Sequence, residues 1–204
     1  MLYNIDMYHI KEMAVSEIEI KKSRFIGILI PVTTEDEARS FLVATRKKHP
    51  DASHFCTAMI IGNIQRSNDD GEPSGTAGLP MLQCLRGHQL DNVMAIVIRY
   101  FGGTLLGTGG LVRAYQQSVN ETIEKATLTR PVIMGQYSVS VDYSLINRAE
   151  TLLQKNAEIN ERSYDEKATF IYTSRNDLTE SFQELSNGSA KPVFIQQIVT
   201  EEEI

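Results

Sequence analysis

Three carboxylates stand close together in Asn68-Asp69-Asp70-Gly71-Glu72, and they are the first residues in this chain that could do chemistry. Such a group can hold Mg²⁺ or serve as acid and base. It can equally be a solvated turn, since Asp and Gly favour turns. It is not an EF-hand loop. Setting Gly71 at the invariant glycine puts Arg66 at the first ligand position and Ala77 at the last.

A second candidate is the passage from Arg99 to Tyr115, with Gly102, Gly103, Gly107, Gly109 and Gly110. Glycines permit positive φ and close backbone approach, and a helix start offers free N–H groups to an anion. A purely structural crossover would use the same glycines. Two phosphate motifs are excluded, because no Lys follows a G-x-x-x-x-G and Val112 stands where the dinucleotide fingerprint needs glycine. Arg99 and Arg113 gain nothing from the positive end of a helix dipole. A ligand anion would explain both, and so would an internal ion pair with Asp69, Asp70 or Glu72. His54, Cys56, Cys84 and His88 could form a zinc site if a strand and a helix met there, although a buried free Cys is usually inert. There is no HExxH, G-x-S-x-G or CxxC, and the expectation is no catalytic residue, no metal and no cofactor.

The elements that position these groups follow from hydrophobic spacing. Val15–Ile20 alternates as a strand, KKSR turns the chain and Phe25–Ile30 returns, a predicted hairpin. Thr34 and Glu37 have capping-box spacing, opening a helix that buries Ala38, Phe41, Leu42 and Thr45 before Pro50 stops it. Phe55–Ile61 is a strand, and residues 63–78 read as one long polar loop. A short helix follows near Pro80–Arg86. Val93–Ile98 is apolar on both faces, as a central strand requires, and Leu111–Ala126 is an amphipathic helix. Beyond Arg130 the order is βαββαβ, that of a ferredoxin-like domain, and the acidic run at residues 201–203 reads as a frayed end. The expectation is therefore α+β, with a domain over residues 1–130 and a second over 131–204.

Composition narrows the partners. Of the net charge of −6, none arises before Pro131, where 14 basic residues balance 14 acidic ones; the remainder carries 6 and 12. A phosphate binder needs clustered Lys and Arg, so the first domain could carry such a patch and the second could not. No apolar run is long enough for a bilayer, residues 1–13 contain no secretory pattern, and two cysteines make no disulfide framework. A cytoplasmic protein is expected, with no membrane partner; oligomeric state is left open.

Three runs, KKSRFIG (21–27), NDDGEPSGTAGLPML (68–82) and IVIRYFGGTLLGTGGLVRAY (96–115), resemble the IMPACT family in its bacterial, YigZ-like branch. The resemblance implies a first domain like domain four of elongation factor G, and a ferredoxin-like second domain like domain five. It carries over Lys22, Ser23, Arg24 and Phe25 in the hairpin. From the acidic loop it adds Asp69, Asp70, Gly71, Glu72, Pro73, Gly75, Thr76 and Gly78. From the glycine-rich passage come Arg99, Tyr100, Gly102, Gly103, Gly107, Gly109, Gly110, Arg113 and Tyr115. Eukaryotic members regulate translation, with an extra N-terminal domain that this chain does not display. The expected function is that of a non-enzymatic, translation-associated regulator. It would bind RNA, or the surface of a ribosome or translation-regulatory protein, through Lys21, Lys22, Arg24, Arg99 and Arg113. One alternative is an enzyme for a small anionic substrate, with Arg99 and Arg113 as anion holders and Asp69, Asp70 or Glu72 as acid, base or Mg²⁺ ligand. A second is an adaptor whose acidic domain engages a basic partner.

Overall fold

Strand β6 (Val93–Tyr100) is buried on both faces, and the first unit is built around it. The computed structural model describes residues 7–204, so the first six residues of the stretch read for a secretory pattern lie outside it. The chain divides into two compact units, one running to Pro131 and including Glu202–Ile204, the other Val132–Glu201. In the first, β1 (His9–Ile10) pairs with Leu128 and Thr129 at the start of β7 (Leu128–Val141). The main sheet joins β2 (Ala14–Ile20), β3 (Ser23–Pro31), β4 (His54–Ile61) and β5 (Ile64–Asn68) to β6 in the order β2-β3-β6-β4-β5, all antiparallel.

Helices cover both faces. On one, α1 (Glu35–Lys48) sets Ala38, Phe41 and Leu42 against Ile26, Ile28, Ile96 and Ile98. On the other, α2 (Gly78–Gly87) and α3 (Thr108–Glu124) bury Leu85, Leu111, Tyr115 and Val119 against Phe25, Leu29, Ala95 and Val97. Small residues seat α3 closely. A Cβ on Gly27 would lie 2.2 Å from Thr122 Oγ1, and Ser16 Oγ meets the same hydroxyl at 2.6 Å.

The second unit contains the rest of β7, α4 (Ile146–Asn156), β8 (Glu158–Tyr164), β9 (Ala168–Ser174), α5 (Thr179–Ser186) and β10 (Val193–Glu203). The sheet order β10-β7-β9-β8 is ferredoxin-like. Its core is Val139, Val141, Ala149, Leu153, Phe170, Tyr172 and Phe182. The α+β class read from the sequence therefore holds.

Three local readings need correction. The loop expected over residues 63–78 begins as a strand, because Gly62 (φ +54°) and Asn63 form a two-residue turn that returns β5 along β4. All of β5 is exposed, so it has no apolar alternation to betray it. The acidic run 201–203 is not frayed. It lies within β10, Arg130 Nη2 pairs with Glu202 at 3.0 Å, Lys11 pairs with Glu203, and Ile204 N donates to Leu128 O at 3.1 Å. At α1, Thr34 Oγ1 does accept from Glu37 N, at 3.2 Å, but the Glu37 carboxylate reaches Thr33 N at 2.8 Å rather than closing the box on Thr34.

Candidate functional site

The three sequence runs meet at one end of the first unit's sheet. Lys21 and Lys22 are the two residues of the β2–β3 turn, both with positive φ (48° and 64°), the geometry of a type I′ hairpin. Ser23 is buried, and its Oγ accepts from Gly102 N at 3.1 Å and lies 3.4 Å from Arg99 Nη2. Gly102 therefore sits on the hairpin backbone. A Cβ there would come within 2.0 Å of the Lys22 carbonyl carbon.

Each carboxylate of the acidic loop faces a different way. Asp69 accepts from the N–H groups of Gly75, Ala77 and Gly78 at 2.8–3.0 Å. Partial burial opposes its charge, but those three donors win, so its carboxyl sits below the ordinary 3.8. Asp70 accepts from Phe55 N at 2.6 Å and pairs with Arg46 Nη2 at 2.5 Å. Asp70 and Gly71 take positive φ, and Glu72 N closes the turn on Asp69 O at 2.9 Å. Thr76 Oγ1 donates to Pro73 O at 2.6 Å, holding the loop where Gly75 (φ +73°) reverses it. The carboxylates of Asp69 and Asp70 are thus occupied by their own loop and by Arg46, away from Glu72, and the geometry gathers no shared Mg²⁺ site among the three.

Glu72 turns inward. Its Oε1 accepts from Arg99 Nη1 at 2.6 Å and from the Tyr115 hydroxyl at 2.8 Å, with His54 Nε2 at 3.9 Å. The Glu72 and Arg99 side chains are 4% and 6% exposed, so this pair is shielded from screening by salt. Arg99 lies between the rings of Phe25 and Phe101, 5.4 and 5.5 Å from their centroids. Tyr115 meets Phe25 edge-on at 5.4 Å. Its phenol is pushed far up by burial, then by Cys56 and Glu72. Arg99 is therefore engaged internally, whereas Arg113 is exposed on α3 beside Gln116, Gln117 and Asn120. The two arginines do not share a site.

The other candidate ligands are dispersed too. His54 Nδ1 donates to Asp70 O at 2.8 Å, and His88 Nε2 meets Asn120 Oδ1 at 3.2 Å. Cys56 Sγ lies 3.0 Å from Asp69 O and 3.3 Å from the Tyr115 hydroxyl, and no metal-ligating cluster forms among the described residues. Burial pushes the Cys56 thiol up to about 12. Thiolate is the reactive form, so native Cys56 should resist iodoacetamide at pH 8 and react only in denaturant. Fast labelling of the folded protein, read by mass spectrometry, would refute this burial.

Above Glu72 and Arg99 opens a cleft of about 340 Å³, walled by Pro73, Phe101, Leu105, Leu106, Gly107, Thr108 and Leu111, with His54 at its side. Gly107 (φ +74°) ends the preceding loop, and Thr108 begins α3 without a side-chain cap. Gly109 and Gly110 follow in the helix's first turn. Gly103 (φ +80°) has open space around it. Both polar loops singled out in the sequence border this one cleft.

Beside the hairpin is a basic and aromatic patch. The Arg24 guanidinium lies 4.3 Å over the Tyr100 ring, and the Tyr100 hydroxyl meets His49 Nδ1 at 2.8 Å. His49 caps α1, whose last turn holds Arg46, Lys47 and Lys48. The sequence reading did not select these α1 residues or Phe101, Leu105 and Leu106, and it took His54 only as a candidate zinc ligand. Basic residues in a last helical turn were the available signal for the former; for the latter, only the fold supplies one.

A sheet covered on both faces by helices, a network that ties Glu72, Arg99, Tyr115 and the β2–β3 hairpin together, and a ferredoxin-like second unit define an α+β protein of two units with a cleft at one sheet end. The family model described as the Impact N-terminal domain matches residues 21–123, and the chain belongs to the IMPACT family. It is similar to the IMPACT family member YvyE of Bacillus subtilis (strain 168), 41% identical over 191 residues, covering 90% of this chain and 88% of that protein. It is also similar to the IMPACT family member YigZ of Escherichia coli (strain K12), 43% identical over 140 residues, or 66% and 69% of the two chains. A crystal structure described as that of a hypothetical protein aligns with TM-score 0.60 and 32% identity, covering 93% and 97%. Among the described residues, no helix is long and apolar enough to cross a membrane.

Proposed function

We propose that this chain is a non-enzymatic, translation-associated regulator of the cytoplasm that binds ribosomal RNA through the hairpin end of its first unit. The observation that carries the reading is the patch formed by Lys21, Lys22 and Arg24 beside Tyr100, with Lys47 and Lys48 in the adjoining last turn of α1. Exposed cations neutralise phosphate, and an Arg lying on an aromatic ring is oriented without losing its charge. Arg113 is exposed and can extend the contact, while Arg99 supports the hairpin from beneath. The resemblance to a family with translation regulators supports the ribosome as the RNA's setting. A surface on a translation-regulatory protein is the competing partner for the same patch.

The test is co-sedimentation with ribosomes over a salt series, with and without nuclease, alongside Lys21→Ala/Lys22→Ala/Arg24→Ala. Removing three cations should flatten the dependence of log affinity on log salt by about 2–3 units, at about 0.7–0.9 per phosphate contact. A salt-insensitive or nuclease-resistant association, unchanged in the triple variant, would instead favour a protein partner away from this patch.

A further inference from the structure

The floor of the cleft has an imbalance of donors and acceptors. Among the described residues, the hydrogen bonds of the Glu72 carboxylate fall on Oε1; Oε2 receives none and is not sealed off, although the side chain as a whole is 4% exposed. A carboxylate accepts on both oxygens, so Oε2 is left for a group that enters the cleft. His54 Nδ1 donates to Asp70 O at 2.8 Å, so in the neutral form of the ring the second acceptor beside Glu72 is Nε2. The nearby donors are committed elsewhere: Arg99 Nη1 and the Tyr115 hydroxyl point to Oε1, and Arg99 Nη2 points to Ser23. Arg99 Nε is a donor without a partner, but it is sealed from the cleft and out of reach of a ligand there. A ligand that completes this floor must bring N–H groups.

The walls select the rest of it. Phe101 and Leu105 are 48% and 82% exposed at the mouth, with Leu106 and Leu111 deeper. Apolar groups of this size left open around buried polar atoms are the usual makings of a small-ligand pocket, and about 340 Å³ falls within the usual range of roughly 300–1,000 Å³.

We propose that the cleft receives an unstacked nucleobase bearing an amino group, with its N–H edge on Glu72 and His54 and its faces against Phe101 and Leu105. Single-stranded RNA is read in this manner, by stacking on aromatic side chains and hydrogen bonding to base edges. Uracil fits poorly, because its one N–H is flanked by two carbonyl acceptors that would oppose the floor. The proposal rests on the RNA reading for the source of the base. A free nucleotide presents the same chemistry.

The experiment titrates the ¹⁵N-labelled full chain with AMP, CMP, GMP and UMP, then with a short single-stranded RNA of mixed sequence, following the amides of Leu105, Gly107 and Thr108. The amino-bearing nucleotides should move these amides with affinity about ten-fold above UMP, one good base-edge contact. Phe101→Ala should weaken them about ten-fold through lost stacking. Leu105→Ser, at an exposed rim, should weaken them without unfolding the chain. No movement at millimolar nucleotide, equal response to UMP, or indifference to both variants overturns the proposal. RNA bound through Lys21, Lys22 and Arg24 with these amides unmoved overturns the base pocket and leaves the surface reading standing. Nucleotides ranked as expected without RNA binding support the pocket, give it a free nucleotide, and overturn the surface reading.

Discussion

Arg99→Met should destabilise the protein by about 3–5 kcal/mol, the cost of leaving one charge of a buried pair uncompensated. The methionine replaces the stem packed between Phe25 and Phe101 but leaves Glu72 facing only Tyr115 and the more distant His54. It also removes the Arg99–Ser23 contact beneath the hairpin. Glu72→Gln should cost less than Arg99→Met, since an amide still accepts from Arg99 and Tyr115, yet it leaves the guanidinium without its counter-charge. The double variant Glu72→Gln/Arg99→Met should be more stable than Arg99→Met alone, because no buried charge remains to be satisfied. Urea unfolding of the four proteins closes the cycle. Near-additive losses would show that the two residues act independently and that the short ion pair contributes little.

That pair also marks where the sequence stops being informative. Arg99 and Arg113 look equivalent in sequence, each beside glycines and within reach of the acidic loop. Only the fold separates them. Arg99 ends a strand buried on both faces, so its side chain is surrounded by Phe25, Phe101 and Tyr115, whereas Arg113 falls on the outer face of α3. Features set by local chemistry were legible: the KKSR turn, the Thr34 cap, the Asp70-Gly71 turn and the two-faced apolar run of β6. Strand β5 was hidden because an edge strand exposed on both faces has no hydrophobic period, and its signal lay in the Gly62-Asn63 turn. The terminal acidic run was misread because its order comes from Arg130 and Lys11, far away in sequence. The cleft was half legible. Its two loops were identified, but the walls at Leu105 and Leu106 and the acceptor at His54 are placed by tertiary packing alone.

Gly102→Ala should have the second large effect, and it separates positioning from mere stability. The added Cβ would stand 2.0 Å from the Lys22 carbonyl carbon, 2.1 Å from its oxygen and 2.4 Å from Ser23 N. These are backbone atoms, and no rotamer change can relieve the clash. Either the β2–β3 turn or the segment after β6 must move, losing the Gly102–Ser23 hydrogen bond and loosening Ser23 from Arg99. Overpacking of this kind costs about 1–3 kcal/mol. Gly103→Ala provides the comparison. Gly103 has φ +80° but nothing within 4 Å of its would-be Cβ, so the substitution should cost about 1–2 kcal/mol from backbone strain while the hairpin stays in place. At matched stability, adjusted with temperature, Gly102→Ala should lose ribosome co-sedimentation and Gly103→Ala should retain it. If both variants bind in proportion to their folded fraction, Gly102 is a packing residue only, and the placement of Lys21 and Lys22 by the Gly102 contact has no part in binding.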